Sequence, residues 1–380
     1  MANTTENTTD TKTALQIDLI VQALRQVQDP DLGKDLVTLN MIRDLQVYGD
    51  GSVKFRVVLT TPACPVKDQL KAQAENVVRA VPGVTKVDVT MDAEVKNKAT
   101  ARGLSNVAHI IAVSSGKGGV GKSTTSVNIA VALALDGARV GLLDADIYGP
   151  NIPTMMGVTE NPKLTVHPEK GEVFLPPSSH GVKVMSMGFL LQGDQPVIWR
   201  GPMLHNILNQ FCTKVEWGEL DYLVIDLPPG TGDVQLSLAQ MLPISGTVLV
   251  TTPQEIALQD VRKAAMMWEK VRVPVIGVVE NMSYFTGDDG KKYRIFGEGG
   301  GELLSKRFGT RLLAQMPLIP AIREGGDLGK PVALAAAGTS SAVTESAALY
   351  RTLAREVARE LSKGAHKVAS ESKLEIGSFQ

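Results

Sequence analysis

Hydrophobic spacing divides the chain into two regimes. Over residues 17–27 apolar side chains recur at helical intervals, and strand-like runs at 41–47 and 53–59 flank a Gly49-Asp50-Gly51 turn. A second helical stretch at 65–81 and a third strand at 84–91 complete the first regime. Elements of these lengths predict a small α+β domain over 15–92. Residues 93–106 lose periodicity and are expected to be a linker, while the polar residues 1–14 are expected to form a disordered tail. From 107 the pattern changes. Short, nearly continuous apolar runs at 110–113, 140–144, 222–226, 247–251, 275–279 and 312–316 alternate with helical segments. Strands apolar on both faces and separated by helices predict an α/β domain with a doubly wound, mainly parallel sheet over 107–363. Residues 364–380 turn polar and are expected to fray.

Candidate chemistry begins at the first strand of the second regime. His109-Ile110-Ile111-Ala112-Val113-Ser114-Ser115 is a β-branched apolar run, and Gly116-Lys117-Gly118-Gly119-Val120-Gly121-Lys122-Ser123 follows it. Helical spacing then continues from Thr124 to about residue 135. A glycine-rich loop between a strand and a helix is the setting of a phosphate-binding loop. The glycines let backbone N–H groups face phosphate oxygens, and the helix N-terminus adds positive potential. Lys122 reaches the β and γ phosphates, and Ser123 offers a hydroxyl to Mg²⁺. Nucleotide contacts are therefore expected over 116–124, Thr124 included.

Carboxylates stand where such a site needs them. Asp226 ends the run Tyr222-Leu223-Val224-Ile225 and precedes Leu227-Pro228-Pro229-Gly230-Thr231-Gly232-Asp233. At the C-terminal end of a parallel strand its side chain points into the ligand crevice, where it can hold Mg²⁺ through water or serve only as a strand-end cap. Asp144 and Asp146 are two residues apart, so on extended backbone both face one side; two solvated loop aspartates have the same spacing. Asn281 follows the run at 275–279, and its amide can both donate to and accept from a purine edge, or shape a turn.

Composition narrows the class. A chain of 380 residues with 43% hydrophobic content can bury a large core in two or three domains. Its net charge of −1 supplies no general field for nucleic acid or an anionic membrane, and neither is expected as a partner. No signal-like segment opens the chain and no apolar run is long enough to span a bilayer. Two cysteines, Cys64 and Cys212, cannot build a disulfide framework, so a reducing, cytoplasmic setting is expected.

Lys117, directly after the first loop glycine, resembles the signature lysine of the deviant Walker A ATPases. That resemblance implies a nucleotide-dependent homodimer in which Lys117 crosses to the partner's phosphates and acts like an arginine finger. It further implies that Asp146 positions the attacking water, that Asp144 supports the metal shell or first switch, and that 228–232 form the second switch. Asn281 would read adenine beside Met316-Pro317-Leu318-Ile319-Pro320. Within that class, Asp144-Ala145-Asp146-Ile147-Tyr148-Gly149-Pro150-Asn151, Trp199-Arg200-Gly201-Pro202-Met203 and Ile295-Phe296-Gly297 resemble the Mrp/ApbC iron–sulfur cluster carriers, which are ATPases of cluster assembly. Asp29-Pro30-Asp31-Leu32-Gly33 and Thr60-Thr61-Pro62-Ala63-Cys64-Pro65 resemble the SufT-like small domain that such proteins carry ahead of the ATPase. ATP and Mg²⁺ are the implied cofactors, an iron–sulfur cluster the cargo, and apo iron–sulfur proteins or assembly factors the clients.

One departure bears on the cargo. Members of this type commonly place Cys-x-x-Cys just before Ile-Phe-Gly, giving four thiolates to a cluster that bridges two subunits. Here 286–294 read Thr-Gly-Asp-Asp-Gly-Lys-Lys-Tyr-Arg, without cysteine, and carboxylates substitute poorly for thiolates around such clusters. Cys64 precedes Pro65 and is expected at a helix N-cap, as a weak cluster ligand with a lowered pKa or as a packed structural cysteine. Cys212 has the spacing of a core residue. Two functions compete: a cluster-assembly ATPase, and a nucleotide-switched adaptor that handles no metal.

Overall fold

The computed structural model describes residues 16–95, 104–147, 149–190, 201–335 and 340–376. The chain forms two compact units, one of Met1–Val95 with Ser362–Gln380 and the other of Lys96–Leu361.

In the first unit, helix α1 (16–24) is followed by β1 (Ile42–Val47), β2 (Ser52–Leu59), α2 (Lys67–Arg79) and β3 (Lys86–Ala93). β2 is central, antiparallel to β1 and parallel to β3. Its alternating Val53, Phe55, Val57 and Leu59 share a buried core with Leu70, Ala74 and Val78 of α2 and with Ile20 and Leu24 of α1. The periods of two and of four residues thus meet in one core. Helix α2 starts later than the sequence predicts, with Val66 rather than Cys64 at its N-cap. Pro62 and Pro65 lead the chain through successive turns first, and the Cys64 carbonyl accepts from the Lys67 N–H at 3.3 Å. Cys64 is half-buried against the apolar core, two residues before that N-cap.

The second unit runs β4 (Val107–Ser115), α3 (Lys122–Leu135), β5 (Val140–Asp144), α4 (Ile152–Met155), a hairpin of β6 (Lys163–His167) and β7 (Gly171–Leu175), and β8 (Val182–Ser186). It continues through α5 (Gly201–Thr213), β9 (Leu220–Asp226), α6 (Asp233–Met241), β10 (Gly246–Thr251), α7 (Glu255–Lys270), β11 (Val275–Thr286), α8 (Gly300–Arg307), β12 (Leu312–Pro317), α9 (Pro320–Asp327) and α10 (Ser341–Ile376), whose residues from Ser362 on are counted with the first unit. The main strands pair in parallel in the order β8-β5-β9-β4-β10-β11-β12. Every residue of β4, β5, β9 and β10 is buried, as a sheet covered on both faces requires. Successive strands are laid down on one side of β4 and then on the other, so the direction of winding reverses beside it. Ligands of open α/β sheets bind at the carboxyl ends of strands at such a point.

Three departures from the sequence reading have local causes. β8 and the β6–β7 hairpin are short strands that fall outside the apolar runs read from the sequence, in a stretch interrupted by Pro and Gly. β11 extends to Thr286 because a register shift between Glu280 and Tyr284, with Met282 at a φ of 54°, lets pairing resume past an irregularity. The last helix continues to Ile376 where a frayed tail is expected, since Ala365, Lys367, Ala369, Glu371, Lys373 and Leu374 are all good helix formers, the charged ones included. The proposed tail at 1–14 and most of the linker, 96–103, lie outside the described residues.

Candidate nucleotide-binding site

The loop joining β4 to α3 is shaped by glycine. Gly119 and Gly121 adopt φ values of 80° and 85°, in the region that side chains strain. A Cβ at Gly116 would lie 2.1 Å from the backbone of Asp260 and Val261 in α7, and one at Gly121 would lie 2.1 Å from Asn281 Nδ2. The first contact seats the loop directly on a neighbouring helix, and the second admits the side chain of β11. Gly121 is the left-handed N-cap of α3, so the loop ends at a free helix N-terminus.

Lys122, the first residue of that helix, is 6% exposed. Its ammonium donates to Asp226 Oδ2 at 2.8 Å and to Ser123 Oγ at 3.2 Å, and lies 3.4 Å from Asp146 Oδ2. Ser123 Oγ donates to the same Asp226 oxygen at 2.7 Å, and Ser126 Oγ donates to Asp226 Oδ1 at 2.6 Å. Asp226 is fully buried, and these three side-chain hydrogen bonds to its carboxylate come from the head of α3. The parallel register sets Asp144 beside Asp226. Asp144 accepts from Ser186 Oγ at 2.8 Å and from the N–H groups of Asp146 and Ile152. Burial, together with the charge of Asp226, pushes its carboxyl well above the usual carboxylate range despite those bonds. Asp144 and Asp146 thus have different partners within one cluster. Asp144 ties the ends of β5, β8 and α4 together, while Asp146 turns toward Lys122.

Asn281 stands against the loop rather than apart from it. Its Nδ2 donates to the Val120 carbonyl at 2.9 Å, so one amide hydrogen is already committed. Beside it opens a cavity of about 520 Å³, lined by Gly121, Thr124, Met155, Asn281, Pro317 and Ile319 among others. That volume is in the range of small-molecule sites. Lys117 is exposed; among the described residues no hydrogen bond or ion pair is formed by its ammonium. Its backbone carbonyl accepts from Ser115 Oγ at 3.0 Å. Trp199 and Arg200 lie outside the described residues.

No thiolate nest accompanies this site. Phe285–Thr286 pairs antiparallel with Lys292–Tyr293, and Asp289 accepts from the Lys291 N–H at 3.0 Å and the Tyr293 hydroxyl at 2.9 Å. Lys292 lies 4.1 Å above the Tyr284 ring. The segment where the resemblance leads one to seek cysteines is thus a self-satisfied hairpin. Among the described residues no three His, Cys, Asp or Glu side chains form a metal nest. Cys212 is 2% exposed in the main core, and burial pushes its thiol up to about 12.

Family profiles account for both units. Residues 106–358 match the ParA profile described as NUBPL iron-transfer P-loop NTPase. The chain belongs to this iron-transfer NTPase family. Residues 17–89 match a second profile, described as iron–sulfur cluster assembly protein. The NTPase is 49% identical over 356 residues to the iron–sulfur cluster carrier protein of Synechocystis, covering 92% of this chain and 99% of that one. It is 43% identical over 347 residues to the carrier protein of Escherichia coli K12, covering 90% and 92%. Against the chloroplastic Fe-S cluster assembly factor HCF101 of Arabidopsis thaliana it is 49% identical over 317 residues, 82% of this chain and 59% of that one. A nucleotide-binding protein of Archaeoglobus fulgidus in complex with ADP superposes with a TM-score of 0.53 at 39% identity, covering 60% of this chain and 89% of that one.

Sequence reasoning missed Ser126, Ser186 and Gln235. Ser126 lies four residues after Lys122 on α3, a spacing that places it over the same helix face and could have flagged it. Ser186 reaches the site only through a tertiary contact and leaves no local signal, and Gln235 donates to the carbonyls of Pro228 and Gly230 in the loop just before its helix. The burial of Cys212 carries a prediction: in the native NTPase a thiol reagent near pH 7 should spare Cys212, whose neutral form persists until far higher pH, and label it once the chain is denatured. Mass spectrometry of peptides labelled before and after denaturation checks this; rapid native labelling of Cys212 would contradict its place in the core.

Proposed function

We propose that this chain is an ATP-binding and ATP-hydrolysing homodimer that carries iron–sulfur clusters and passes them to apoproteins. The observation that carries the reading is the buried nest of Lys122, Ser123, Asp146 and Asp226 at the head of α3, next to a roomy cavity. An ammonium held by carboxylates at a glycine-lined helix N-terminus is a site from which phosphate oxygens can take over the cation. Residues 116–124 would cradle the phosphates, and Asn281 with Pro317 and Ile319 would flank the base.

The hard oxygens of Ser123, Asp226 and neighbouring Asp144 fit Mg²⁺. When bound, that ion neutralises charge on the β and γ phosphates. The chain's own residues do the rest. Asp146 orients the attacking water, and Lys117, exposed on the loop, reaches across a dimer to the partner's phosphates. We assign the protein to the cytoplasm; among the described residues no helix is long and apolar enough to cross a membrane.

Cargo handling follows from ligand count. The 286–294 hairpin supplies no thiolate and Cys212 is buried, which leaves Cys64 of the small unit as the thiol available to a cluster. One thiolate per subunit holds a cluster two ligands short of the usual four, to be completed by a small thiol or by the client. Support for cargo of this kind comes from the carrier and assembly proteins that match over most of this chain.

Lys122→Ala should abolish turnover and weaken nucleotide binding by about 100-fold or more, since the phosphates lose their main cation. Lys117→Ala should bind nucleotide nearly as well as the wild type yet lose most turnover and ATP-dependent dimerisation. Equilibrium titration, phosphate release and sedimentation separate the two, and wild-type turnover by Lys122→Ala would remove the core of the proposal. Anaerobic reconstitution of the full-length protein should yield a weakly held cluster that Cys64→Ala loses, read as iron, sulfide and visible absorption. Equal cluster content in the variant would displace Cys64, and no cluster in either protein would favour a metal-free nucleotide-switched adaptor.

A further inference from the structure

Gln235, in the first turn of α6, is fully buried. Its Nε2 donates to the carbonyls of Pro228 at 2.7 Å and Gly230 at 2.9 Å. Both partners are acceptors, which fixes the amide with its nitrogen toward the loop. That loop connects Asp226 to α6 and touches the phosphate-binding loop: the Gly230 N–H donates to the Ser115 carbonyl at 2.9 Å, and a Cβ at Gly118 would lie 3.9 Å from Pro229. Among the described residues Gln235 Oε1 has no hydrogen-bond partner. A buried acceptor left unpaired is costly, so this arrangement satisfies only half of the amide. A shift of the loop that brings a backbone N–H to Oε1 relieves that cost, while the two donated bonds tether the loop to the first turn of α6.

We infer that Gln235 is a positioning residue that couples the Pro228–Gly230 loop to α6, setting the loop against the phosphate site during turnover. The inference rests on the proposed ATP hydrolysis. Gln235→Met keeps the volume of the side chain and removes both donors, so kcat should fall about tenfold, the effect of losing one or two hydrogen bonds made in the reacting arrangement. KM for ATP should stay close to wild type, because no group that contacts nucleotide is altered, while the thermal midpoint should fall only modestly, as the buried Pro228 carbonyl loses its donor. Gln235→Asn retains the donors but is a methylene short, and should give an intermediate kcat; it serves the same comparison if the methionine variant fails to fold. An unchanged kcat in the variants, or a loss shared equally by kcat, KM and thermal midpoint, overturns the inference. Absence of turnover in the wild-type protein would instead contradict the proposed hydrolysis, and this inference with it.

Discussion

The contact between Lys122 and Asp226 organises the site. Both groups are buried, and withdrawing two charges from water costs more than their mutual attraction returns unless further hydrogen bonds complete the shell. Ser123 and Ser126 supply those bonds to Asp226, and Asp146 adds a second carboxylate beside the ammonium. Loss of either partner would leave an uncompensated buried charge, a change that typically costs about 3–5 kcal/mol. The same feature suits the pair to nucleotide chemistry. Under the proposed function, phosphate oxygens and a divalent cation replace each partner's counter-charge.

The sheet makes that contact possible. Parallel pairing of β9 with β5 and β4 brings the strand ends at Asp144, Asp226 and Ser115 to one edge. The loop after Ser115 can turn back over that edge because Gly116 rests directly on the backbone of α7 and Gly121 makes room for Asn281. Bulkier residues at either position would push the loop off its supports and move Lys122 away from Asp226. Met282, at a φ of 54°, marks where β11 gives up regular pairing just after Asn281, a strained turn at the rim of the nucleotide cavity.

What could be read from the sequence divides along physical lines. The phosphate loop, the parallel sheet and Asp226 were legible because each imposes a local demand: glycines for positive φ, unbroken apolar runs for strands covered on both faces, a carboxylate at a strand end. Gln235 was not, because a glutamine on a helix carries no sign of what it faces, and Ser126 is marked only by its spacing from Lys122. Asp144 and Asp146 had the right spacing but different partners, since Ser186 and the N–H of Ile152 draw Asp144 inward. Cys64 was misplaced by a helix-start rule that the paired prolines defeat, and the helix through Ile376 by equating polarity with disorder.

Under the proposed function Asp226 holds Lys122 before nucleotide arrives and serves Mg²⁺ afterwards, and a thermodynamic cycle separates the two roles. Titrating a non-hydrolysable ATP analogue into wild-type protein and Asp226→Asn, with Mg²⁺ and with chelator, measures all four corners. Metal should tighten binding to the wild type by about tenfold or more and leave the variant nearly indifferent. Without metal the variant should bind at least as well as the wild type, because Lys122 is no longer held by a carboxylate. Equal metal dependence in both proteins would contradict the assignment of Asp226 and with it the organisation of the site.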